Sequence, residues 1–158
     1  MIFCYTTTQK TVIYAETLRE ILGREVYMLK TAIDSSSKVT LAITALFRQA
    51  VPITNMPSAD SFAEDDVYIC TPTWVGRPAS PIQYFLDNAP LKGKTVHLLV
   101  TAGSGSDNTR ERAEEMLKSA ECIPGKVHVF ASGFGTQDQD TIKAHVKALM
   151  FDDESLLN

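Results

Sequence analysis

The strongest constraint on the fold is an alternation: short apolar runs, each too brief for a helix, separated by longer stretches with helical spacing. The runs lie at residues 2–5, 25–29, 67–70, 96–100 and 127–131. Their content of Val, Ile, Tyr and Phe predicts five strands. Runs 67–70 and 96–100 carry apolar side chains on both parities, the pattern of strands covered on both faces. Between the runs, apolar stripes recur at helical spacing: Ala15, Leu18, Ile21 and Leu22; Ala42, Ala45 and Leu46; Ile82, Phe85, Leu86 and Ala89; Ala113, Met116, Leu117 and Ala120; Ile142, Val146 and Leu149. The punctuation agrees. Gly23 closes the first helix, Ser80 with Pro81 reads as N-cap and first helical position, and Asn108 with Glu111 resembles a capping box. Residues 51–63, polar and Pro-containing, read as a long connection. Five strand-helix units in 158 residues predict one α/β domain spanning 1–158, a doubly wound five-stranded parallel sheet with helices on both faces.

Charge and cysteine usage exclude several classes of function. Fifteen basic residues against nineteen acidic ones give a net charge of −4, and no Lys/Arg-rich run offers a nucleic-acid backbone a footprint. Cys4, Cys70 and Cys122 are odd in number and form no C-x-x-C pair, which argues against a disulfide framework or a zinc site. No apolar run approaches the ~20 residues that span a bilayer, and Met1 opens into Ile-Phe-Cys-Tyr without a basic leader. The expectation is a cytoplasmic protein in a reducing compartment, with neither nucleic acid nor membrane as partner.

In a doubly wound sheet, ligands bind beyond the carboxyl ends of the strands, where the strand order reverses. Three loops fall there. Thr6-Thr7-Thr8-Gln9-Lys10-Thr11 sets hydroxyls, an amide and a cation at a strand-to-helix turn, where free N–H groups and the helix dipole suit a phosphate. The same residues also serve simply to cap the first helix. Thr71-Pro72-Thr73-Trp74-Val75-Gly76 places the only Trp of the chain at the same edge, either to stack on a planar ring or to fold down as a core plug. Gly76 permits positive φ. The third loop, Thr101-Ala102-Gly103-Ser104-Gly105, is small enough for close backbone approach to a ligand, and equally suits an ordinary flexible connection.

Together these loops resemble those of flavodoxins and flavodoxin-like proteins. Thr6, Thr8 and Thr11 match the family's phosphate pattern T/S-x-T-G-x-T, with Gln9 where the family has Gly; residues 68–74 are similar to its second loop, residues 81–86 to the helix that follows, and residues 101–105 to a third loop without the usual aromatic. The resemblance spans essentially the whole chain. It implies strand order 2-1-3-4-5 and noncovalent FMN, with the phosphate on residues 6–11 and the ring between residues 71–76 and 101–105. Stacking by Trp74 and a backbone contact from the Val75-Gly76 region would then tune the flavin. The implied function is one-electron transfer between redox partners. An alternative is an FMN-dependent oxidoreductase acting on a pyridine nucleotide or quinone, favoured by the missing third-loop aromatic and by a charge less acidic than typical carriers. A flavin-free binding module is the third reading, kept open by the side chains of Gln9 and Lys10.

Other motifs carry less. Gly93-Lys94-Thr95 ends like a P-loop, but Asn88 stands where a Gly is required and a strand follows. His97, His128 and His145 lack partners at metal-ligand spacing and read as structural. Asp65 and Asp66 precede the third strand, the wrong end of the sheet for a phosphoacceptor site.

Overall fold

A computed structural model describes residues 1–7, 9–32, 50–103, 108–131 and 139–151. The elements are β1 (Ile2–Cys4), α1 (Gln9–Leu22), β2 (Val26–Met28), a 3-10 turn (Ala59–Phe62), β3 (Asp66–Trp74), β4 (Arg77–Pro78), α2 (Ser80–Asn88), β5 (Thr95–Ala102), α3 (Thr109–Ser119), β6 (Ile123–Ala131) and α4 (Gln139–Phe151). The helical pattern at Ala42, Ala45 and Leu46 lies outside the described residues. The five long strands are parallel in the order β2-β1-β3-β5-β6, the expected 2-1-3-4-5 once the two-residue β4 is set aside. β4 is an addition to the expected sheet: it pairs antiparallel with the end of β3, Trp74 opposite Arg77, and two residues are too few to leave a periodicity.

Strand alternation divides the core into two layers. Phe3, Tyr5, Val67, Ile69, Val96, Leu98 and Val100 face one layer with Ile82, Phe85 and Leu86 of α2 and Ala113 and Leu117 of α3. Ile2, Cys4, Tyr68, Cys70 and Leu99 face the other with Tyr14, Ala15 and Leu18 of α1 and Ile142 and Val146 of α4. The apolar stripes of four helices thus cover both faces of one sheet.

Residues 51–63 are better ordered into the fold than a polar connection suggests. Ile53 bridges to Thr31, and the Asn55 side chain accepts from the Lys30 N–H at 2.6 Å and donates to the Met28 carbonyl at 2.8 Å, occupying groups beside edge strand β2. Phe62 stacks on Phe3 with ring centroids 4.9 Å apart. Two caps also differ from expectation. Ser80 is already helical, with Ala79 as N-cap, and the Ala79 N–H is bonded to the Pro72 carbonyl at 3.0 Å. Asn108 is an N-cap by position, yet its side chain makes no capping bond. Gly23 does end α1, at φ 64°, with its N–H on the Arg19 carbonyl.

The histidine best defined by its contacts is structural. His97 accepts the Lys126 N–H on Nδ1 at 3.1 Å, sets Nε2 3.4 Å from the Asp66 carboxylate and stacks on Tyr68 at 4.8 Å. It belongs to the amino-terminal end of the sheet. Among the described residues no group of three or more His, Cys, Asp or Glu could hold a metal, and no helix is long and apolar enough to cross a membrane.

Candidate functional site

The chain leaves β1 toward β2 on one side and returns through β3 to build the sheet on the other, so the strand order reverses between β1 and β3. At that switch point the carboxyl ends of neighbouring strands open a crevice. The ends of β1, β3 and β5 border it, and contacts tie these strands and the helices that follow them to one another.

The first tie joins the start of α1 to the end of β5. Thr11, in the first turn of α1, is fully buried, and its hydroxyl lies 2.8 Å from that of Thr101. The second joins β1 to the loop after β3. The Tyr5 N–H donates to the Cys70 carbonyl at 3.0 Å, and the Tyr5 ring meets the Trp74 indole edge-on at 5.6 Å and 79°. Burial pushes the Tyr5 phenol up, with a hydrogen bond to Thr31 offsetting part of that rise. The third joins the loop after β3 to α3, which begins just beyond the loop after β5. Arg112 Nη1 donates to the carbonyls of Val75 and Gly76, each at 3.3 Å.

The loop after β3 is a tight hairpin. Trp74 and Arg77 pair across it, and both central residues have positive φ, 51° at Val75 and 68° at Gly76, the signature of a type I′ turn. Glycine adopts that region freely. A β-branched residue does not, and the left-handed conformation costs Val75 about 1–2 kcal/mol. Its side chain is 57% exposed, so the turn gains little packing in return. Thr71 supports the base of the hairpin: its buried hydroxyl donates to the Pro72 carbonyl at 3.1 Å and lies 3.3 Å from the Ala79 N–H, which it accepts.

The residues singled out from the sequence fall into three groups. Thr6 and Thr7 are partly exposed and Gln9 and Lys10 exposed, at the amino end of α1, whose first turn contains no acidic residue. Thr73 and Gly76 are partly exposed and Val75 and Gly103 exposed along the other two loops, and a Cβ on Gly103 would meet nothing within 4 Å. Thr11, Thr71, Pro72, Trp74, Thr101 and Ala102 are buried. Thr8, Ser104 and Gly105 lie outside the described residues.

Trp74 takes the core-plug position. Only 8% of its surface is exposed, and it packs among Tyr5, Ala79 and the apolar layer under α2 and α3. An indole held there does not present an open face to a ring, and Val75 is the apolar side chain left at the rim. Sequence reasoning missed Arg112. One signal was available: Arg110 and Arg112 stand in the first turn of α3, the positive end of the helix dipole, where cations are disfavoured and need another partner. Arg110 finds the Val127 carbonyl at 2.9 Å; Arg112 finds the turn.

No protein-family model matches the chain, and no curated protein matches it in sequence. Solved structures do match its fold. A candidate flavoprotein from Bacteroides uniformis superposes with a TM-score of 0.73 at 19% identity, over 93% of this chain and 96% of that one. A flavoprotein from Lactobacillus acidophilus, solved in complex with FMN, gives 0.63 at 20% identity over 81% and 90%. A flavodoxin from the domain Archaea gives 0.57 at 14% identity over 99% and 98%. The chain has the flavodoxin-like fold, as the three loops lead one to expect.

Proposed function

We propose that this protein binds FMN noncovalently in the crevice between β1, β3 and β5 and serves as a one-electron carrier. The observation that carries the reading is the cross-tying of the ends of β1, β3 and β5 and their following helices at the switch point, with an anion-compatible turn on one side and the Val75-Gly76 turn on the other. The donor set fits. Hydroxyls of Thr6 and Thr7, the N–H groups opening α1 and the Lys10 ammonium suit a phosphate, and no acid in that turn opposes it. Gly103 leaves open space where a Cβ would stand, and Gly76 presents backbone without a side chain at the turn.

FMN, when bound, supplies the redox chemistry. Thr6, Thr7 and Lys10 would hold its phosphate, and the turn at Val75 and Gly76 would border its ring. The buried thiols of Cys4 and Cys70 suit a reducing cytoplasm. With Trp74 folded inward, its indole does not cover its side of the crevice, which supports a second reading as a small FMN-dependent oxidoreductase using a pyridine nucleotide or quinone.

The test is a visible absorption spectrum taken after FMN addition and desalting. The expected result is a retained flavin spectrum in the wild type and a weakened one in Lys10→Glu, which reverses the charge at the anion end. Loss of all flavin from the wild type would overturn the FMN reading. NAD(P)H oxidation by the loaded protein would favour enzyme over carrier.

A further inference from the structure

The turn after β3 holds a conformation that its own sequence does not favour. Val75 is β-branched, exposed and in the left-handed region, and a backbone so placed persists only where its surroundings hold it. Arg112 supplies that hold from the first turn of α3, spanning the carbonyls of two successive residues with one nitrogen. Its place at the positive end of the helix makes this partner the more valuable to it.

We propose that Arg112 is a positioning residue that latches the Val75-Gly76 turn for ligand binding. The assignment rests on the FMN reading. Because the described peptide bonds are all trans, the N–H of each peptide points opposite to its carbonyl. With the Val75 carbonyl turned to Arg112, the Gly76 N–H is directed away from α3. The latched turn therefore offers a ligand a hydrogen-bond donor, while its two carbonyl acceptors are engaged by the guanidinium. Arg112 thereby ties the turn to α3, the helix that follows β5 in the chain, before any ligand arrives.

The experiment uses the full chain carrying Arg112→Met or Arg112→Lys, with two readouts. Amide hydrogen exchange of the ligand-free protein reports the turn itself. Flavin fluorescence titrations with FMN and with riboflavin, which lacks the phosphate, report binding. In Arg112→Met, exchange at Arg77, which pairs with Trp74 across the turn, is expected to quicken about tenfold while the amides of β5 hold their protection. FMN and riboflavin are both expected to weaken by about tenfold, their affinity ratio unchanged, because the latch acts at the ring end. Arg112→Lys, which keeps the charge and one donor, is expected to recover part of the affinity. Unchanged turn exchange with unchanged flavin affinity would overturn the proposal, as would weakening of FMN with riboflavin spared. If the wild type binds neither flavin, the FMN reading fails by itself and the exchange arm still decides whether Arg112 holds the turn.

Discussion

At Val75 backbone and side chain are in conflict, and the conflict is measurable. Asn tolerates the left-handed region far better than Val. Val75→Asn is therefore expected to raise the unfolding free energy by about 1 kcal/mol, seen as a higher urea midpoint at unchanged slope. A lower midpoint would show that the exposed valine contributes packing of its own. The neighbouring Trp74 shows what single residues do and do not disclose. Its place at the crevice edge follows from the sequence, but the direction of its side chain is decided by Tyr5 and the layer beneath α2, partners that local spacing does not reveal. Arg112 is the converse case: its local context is unfavourable, and the reason lies 36 positions away at Gly76.

Between elements, the buried Thr11–Thr101 hydroxyl pair joins α1 to β5 beneath the crevice. Removing one hydroxyl strands the other in an apolar surround, so Thr11→Val and Thr101→Val are each expected to cost about 1–3 kcal/mol. The double variant should cost less than their sum, with a coupling of about 1 kcal/mol in a double-mutant cycle on urea unfolding; strict additivity would mean that the hydroxyls do not depend on each other. The five strand units and their order were legible because each strand carries a compact apolar signature and each stripe a helical period. Lengths were less so. β3 runs to Trp74, four residues past the apolar run, because Thr71 to Trp74 are held by pairing to β5 and β4, not by apolarity. β6 begins at Ile123, upstream of its run, through backbone pairing of Ile123 and Pro124 with β5. Phe62 and Asn55 anchor residues 51–63 by contacts across the chain, which no local pattern contains.

For the molecule as a whole, the burial that makes one sheet with two covered faces also sets its response to alkali. Cys4 and Cys70 face each other across β1 and β3, and burial pushes the Cys4 thiol from 9.0 up to about 12 and the Cys70 thiol well above its ordinary value. The folded state thus keeps protons that the unfolded chain gives up near pH 9, so stability is full below that value and is lost as pH rises toward 12. Tyr5, Tyr14 and Tyr68, all raised by burial, act in the same direction. The urea midpoint is expected to fall progressively from pH 9 upward, less steeply in Cys4→Ala; a midpoint that stays level or rises would contradict the burial assigned to these groups. The proposed FMN site draws on three loops from distant parts of the chain. An amide NMR titration of the isotopically labelled full chain with FMN tests it most directly. Saturation at one FMN per chain is expected, with the largest shifts at Thr6, Thr7, Lys10, Val75, Gly76 and Gly103. Absence of shifts, or shifts centred on Ile123 and Gly125 at the opposite end of the sheet, would contradict it.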